Sequence, residues 1–122
     1  RRSSDLVIGQ EVARQLGLRF IFAEKEEGRL VLRRGFRIDP DEPILIVEDV
    51  VTQGGRVRET MDIVRQNSGR LVGVGMLVDR SDGNLNFGVP TASLIRLQVD
   101  TFAPDALPPD LVPIPAIKPG SK

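Results

Sequence analysis

The chain has no cysteine and no histidine among its 122 residues, and aromatic side chains make up only 4% of it. Without cysteine there are no disulfides, no thiolate zinc sites and no cysteine nucleophile, which fits a reducing cytosol. Without histidine, the commonest general base and the commonest transition-metal ligand are gone. Chemistry must therefore rest on carboxylates, lysines, arginines, hydroxyls and backbone amides. Net charge is missing too: 17 basic residues offset 17 acidic ones, so no global field favours nucleic acid or an anionic membrane surface. The amino-terminal string RRSSDLVIGQEVARQLG meets charge too early for a signal peptide, and no apolar run is long enough to span a membrane. These absences predict a soluble, cytoplasmic protein: one domain over residues 1–122 with a modest core, and neither nucleic-acid nor membrane partners.

What is present alternates between helix and strand signals. Val7, Ile8, Val12, Ala13 and Leu16 recur at helical spacing and Gly17 stands in the usual stop position, so a helix to about Leu16 is expected. Residues 18–22 form a short apolar, aromatic-enriched run that predicts a strand. Residues 23–41 are charge-rich and punctuated by Gly28, Gly35 and an Asp-Pro pair. They read as a hairpin or long mobile excursion, with residues 24–27 against 30–36 around Gly28. Residues 44–47 are a continuous β-branched run, as in a parallel strand buried on both faces, ending at Glu48 and Asp49. A helix over about 55–66, a strand over 72–78, a polar turn at 81–86 and a last strand over 92–99 follow. From residue 102 the prolines predict an irregular tail. The expected architecture is an open, mostly parallel α/β sheet flanked by helices.

In such a sheet, ligands bind beyond the carboxyl ends of the strands, which is where residues 48–55 must lie. Gly54 and Gly55 free the backbone to turn successive amides toward an anion, and the following helix adds its positive end. Thr52 and Arg56 are further donors. Two carboxylates beside a phosphate cradle would repel the phosphate unless they served another part of the ligand, and vicinal sugar hydroxyls are suitable donors to them. Glu48 and Asp49 thus point to ribose, and to stabilising positive charge on a sugar whose anomeric bond breaks. The plainer reading of the same residues is a strand, a polar turn and a helix start with solvated acids.

The full string ILIVEDVVTQGGRVR, residues 44–58, resembles the phosphoribosyl pyrophosphate motif of type I phosphoribosyltransferases. Three more segments are similar to orotate phosphoribosyltransferases: GQEVARQLG (9–17) to a helix after the pyrophosphate loop, FAEKEEGRLVLRRGF (22–36) to a hairpin-like catalytic loop, and LVDRSDG (77–83) to an Asp-Arg turn. The KPGSK ending resembles one branch of the family. The resemblance implies that Glu48 and Asp49 hold the ribose hydroxyls, and that Val50, Val51, Thr52, Gln53, Gly54, Gly55 and Arg56 complete the phosphoribosyl site. It implies that Thr52 and Arg80 contact orotate, Arg80 through its carboxylate. It makes Lys25 the candidate for stabilising departing pyrophosphate, with Arg29, Arg33 and Arg34 as further donors. Arg80 otherwise reads as a solvated loop arginine, and the charged run at 24–34 as a wet surface.

The implied reaction joins orotate to the anomeric carbon of 5-phosphoribosyl 1-pyrophosphate, giving orotidine 5'-monophosphate and pyrophosphate, a step of UMP biosynthesis. Magnesium would be carried mainly by substrate oxygens, with no protein metal cage. A homodimer is implied by the same resemblance. The sequence departs from the family's pattern in three places. Gln53 replaces Thr or Ala, Arg56 replaces a small residue, and the family's usual amino-terminal third, with its hood and glycine-bearing loop, has no counterpart ahead of Gly9. A truncated, incompletely sequenced or degenerate enzyme with an unpaired sheet edge is therefore expected. The alternatives are a binding or regulatory module that keeps only the ribose-phosphate cradle, and a phosphoribosyltransferase for another base.

Overall fold

The computed structural model describes residues 3–117; Arg1, Arg2 and the KPGSK ending lie outside the described residues. Helix α1, Ser3–Leu16, ends where the sequence predicts. Gly17 takes φ +66, its N–H donates to the Arg14 carbonyl and the Leu18 N–H donates to Ala13. That pair of bonds closes the last turn around a left-handed residue.

The strand expected over residues 18–22 does not form. Phe20, Ile21 and Phe22 are used for packing rather than for ladder pairing, while Leu18 is left exposed. The Phe20 ring lies so close to Gly9 that a Cβ there would come within 2.5 Å of it. Ile21 packs against the cluster of Ile38, Ile63 and Val64, and Phe22 meets Phe36 edge-on at 5.1 Å. Pairing begins one residue later. Strands β1, Ala23–Glu26, and β2, Arg29–Leu32, form an antiparallel hairpin. Glu27 and Gly28 at its tip have φ 49 and φ 84, the positive values that a tight hairpin turn requires. The second strand stops at Leu32, shorter than the expected reach to residue 36.

The main sheet has three parallel strands in the order β3-β4-β5: β3 Pro43–Val51, β4 Arg70–Asp79 and β5 Thr91–Arg96. Strand β3 runs past the predicted end, so Glu48 and Asp49 are strand residues. Among the described residues β3 is paired on one side only, which matches the expected free edge. Helix α2, Gly55–Gln66, buries Val57, Met61, Ile63 and Val64. Its period-matched apolar stripe serves two clusters. Val57 and Met61 join Ile46, Val51, Val74, Met76 and Phe87. Ile63 and Val64 join Ile38, with Leu30 and Leu32 of the hairpin packed on them. The hairpin is thus fastened to α2 by apolar contacts and shares no ladder with the sheet. From residue 97 the described tail is irregular, as its prolines predict.

Candidate functional site

The carboxyl ends of β3 and β4 lie side by side, with Val51 opposite Asp79, and the Arg80 N–H donates to the Val51 carbonyl at 2.8 Å. Residues 52–54 then turn the chain into α2. Gly54 caps that helix with φ 75 and ψ 11, and no side chain accepts its first N–H groups. No acidic residue stands in the first turn either. The first intrahelical bond runs from the Arg58 N–H to the Gly54 carbonyl. The amides of residues 55–57 precede it, which leaves them without intrahelical acceptors at the positive end of the helix dipole.

Glycine at 54 is required twice over. A side chain at φ 75 is strained, and a Cβ there would stand 2.8 Å from Arg58, 2.9 Å from Leu85 and 3.0 Å from Phe87. Gly55 meets nothing within 4 Å, so its surroundings are open.

A cavity of about 1040 Å³ is bordered by the loop, by β3, by α1 and by the hairpin. Of the residues singled out in the sequence, Lys25, Glu48, Asp49, Thr52, Gly55 and Arg56 line it, and so do Val50, Val51 and Gly54. Gln53 and Arg80 do not. Glu48 is only 9% exposed. As consecutive strand residues, Glu48 and Asp49 project to opposite faces and do not form one two-pronged acceptor. Asp49 Oδ1 also accepts the Val50 N–H at 2.6 Å.

The three loop arginines differ in their engagement. Arg34 meets both carboxylate oxygens of Glu24, at 2.9 and 3.1 Å, and this contact raises its pKa. Arg33 lies 3.4 Å from Glu26. Arg29 is exposed at the start of β2.

Sequence reasoning missed the residues that brace these groups. Asp79, 8% exposed, accepts the Ser81 hydroxyl at 2.5 Å and the Ser81 N–H at 2.9 Å. Arg96 at the end of β5 approaches its other oxygen at 3.9 Å. The hydroxyl contact first, then the amide bond and Arg96, hold the Asp79 carboxyl below its ordinary range against the opposing cost of burial. This carboxylate folds the turn on either side of Arg80. Arg58 and Phe87 were missed as well. The signals available were an arginine one helical turn after Gly54 and a single aromatic in the turn-rich segment that follows Arg80.

No protein-family model matches the chain. It is homologous to curated orotate phosphoribosyltransferases, including those of Caldanaerobacter subterraneus subsp. tengcongensis (48% identical over 117 residues) and Pelotomaculum thermopropionicum (50% over 117). Each alignment takes in 96% of this chain and 62% of the relative. The chain thus spans about three fifths of the length of the proteins it matches. Among solved structures it resembles the adenine phosphoribosyltransferase of Rhodothermus marinus, with a TM-score of 0.62 and 20% identity over 79% of this chain and 66% of that one. The fold is that of a type I phosphoribosyltransferase.

Proposed function

We propose that this chain, as a homologue of the orotate phosphoribosyltransferases, binds 5-phosphoribosyl 1-pyrophosphate and orotate and carries the site that joins them. The observation that carries the reading is the uncapped start of α2 behind Gly54, on the same cavity as Glu48 and Asp49. The amides of residues 55–57 and the helix's positive end take the 5-phosphate, with Thr52, Gln53 and Arg56 around it. Glu48 and Asp49, both on the wall of that cavity, take the ribose hydroxyls. Their charge also favours the positive character that develops on the sugar as the pyrophosphate leaves.

The bond broken is that between the anomeric carbon and the pyrophosphate oxygen, and the bond formed joins that carbon to a ring nitrogen of orotate, whose N–H proton passes to the departing pyrophosphate or to solvent. Arg80 pairs with the orotate carboxylate, and Thr52 lies at the orotate end of the loop. Lys25 at the cavity wall, with Arg29, Arg33 and Arg34 near it on the hairpin, supplies charge for the departing pyrophosphate. Arg34 must first release Glu24 to take part.

Magnesium, when bound, would supply charge to offset the departing pyrophosphate and would be held mainly by substrate oxygens. Among the described residues no three acids converge into a metal cage, and a hard cation that keeps several waters and substrate oxygens needs none. A cytoplasmic homodimer is the expected setting. No helix among the described residues is long and apolar enough to cross a membrane.

The test is to incubate the chain with orotate, phosphoribosyl pyrophosphate and magnesium and to follow the loss of orotate absorbance. Turnover is expected. A folded preparation that binds orotidine 5'-monophosphate without turnover would replace the catalytic reading with that of a binding module. One that binds neither substrate would refute both.

A further inference from the structure

Arg58 stands one turn into α2, and its side chain reaches back to the loop that precedes the helix. Its Nη1 donates to the Gln53 carbonyl at 2.8 Å, while its guanidinium carbon lies 5.3 Å from the centre of the buried Phe87 ring. Phe87 and Leu85 come from the connection that begins at Arg80, and both press on the space beside Gly54. A planar trans peptide sends its C=O and N–H in opposite directions. A guanidinium that fixes the Gln53 carbonyl therefore also fixes the direction of the Gly54 N–H. Gly54 lines the cavity and Gln53 does not.

We infer that Arg58 is a positioning residue for the anion cradle: clamped on Phe87, it holds the 53–54 peptide so that the Gly54 amide faces the phosphate side of the loop. The role rests on the proposed ribose 5-phosphate reading of that loop. It depends on the planar fork as well as on charge. Guanidinium stacks on a ring and keeps directed N–H bonds, whereas an ammonium is a compact point charge on a flexible stem. Arg58 touches no ligand in this account. It acts through the peptide it turns, and it links the phosphate loop to the segment that carries Arg80.

The test follows the Gly54 amide by NMR, with and without ribose 5-phosphate, in the wild-type chain, Arg58→Met and Arg58→Lys. In Arg58→Met the Gly54 resonance of the ligand-free chain is expected to move, and ribose 5-phosphate affinity to fall roughly tenfold or more, the scale of one charge-assisted hydrogen bond. Arg58→Lys keeps the apolar stem over Phe87, which preserves folding should the Met variant not fold, and is expected to show the same displaced resonance. An unmoved Gly54 resonance in a folded variant would overturn the inference. So would full recovery of affinity in Arg58→Lys, since charge alone would then suffice. If the wild-type chain binds no ribose 5-phosphate, the proposed function fails separately, and the ligand-free Gly54 resonance still decides whether Arg58 sets the peptide.

Discussion

In the loop ahead of α2 the chain is braced by the buried Phe87 and Asp79, whereas in the hairpin charged groups are held by one another at the surface. Gly54 is enclosed by Arg58, Leu85 and Phe87, and Asp79 pins the adjacent turn through Ser81. In the hairpin, Arg34 and Arg33 pair with Glu24 and Glu26, and both arginines are more than half exposed. Exposed pairs of this kind contribute little, and salt screens them. The two regions border one cavity under different constraints. The loop is preorganised, as the proposed anion site requires if it is to avoid reorganisation on binding. The hairpin is bonded to no strand of the main sheet and is attached through Ala23, Leu30 and Leu32, so few contacts oppose its local opening.

The largest expected effect breaks the rigid side. Gly54→Ala places a Cβ against three neighbours at a positive φ, and should cost about 2–4 kcal/mol and abolish ribose 5-phosphate binding. Urea denaturation and calorimetry check the two parts. Smaller is Asp79→Asn, which keeps an acceptor for Ser81 but removes the charge from both of its bonds and turns an amide donor toward Arg96; it should cost about 1–3 kcal/mol near neutral pH. Because the folded structure lowers this carboxyl below the ordinary 3.8, its contribution is complete above that value. It is lost as pH falls through the lower folded value. The difference between wild type and Asp79→Asn should thus be flat from about pH 6 to 8 and close in acid. Denaturation at several pH values decides it. The smallest effect should come from Arg34→Ala, with a denaturation midpoint unchanged within scatter and faster amide exchange confined to residues 23–32. A large loss of global stability there would erase the contrast drawn above.

Much of this was legible in the residues. The β-branched run at 44–47, the paired glycines and the apolar spacing of α2 located the strand, the turn at Gly54 and the helix, because each element's local preference agrees with its place in the sheet. The helix ends at Gly17 and at Asn67 were legible for the same reason. Residues 18–22 were not. Their strand propensity is real, but a strand needs a pairing partner, and their side chains were claimed by Gly9, Phe36 and the hairpin cluster. Nor could the sequence reveal how far β3 runs, since Glu48 and Asp49 look like a strand's end until their pairing with β4 is known. Phe87 stayed hidden because only the crossover brings it to Arg58 and Gly54, whereas Asp79 and Arg58 act on groups two and five residues away, bonds that residue types alone do not announce. Arg80, expected from the sequence to contact orotate, is placed beside the loop by a backbone bond to Val51 that no spacing rule would show, and it does not line the cavity.

Titrating ribose 5-phosphate into the labelled chain, with the backbone amides followed by NMR, tests the central claim most directly. The account predicts the largest shifts at residues 54–57, smaller ones at Glu48 and Asp49, and little change in the hairpin without pyrophosphate. Saturable shifts centred elsewhere, or none in a folded chain, would contradict it.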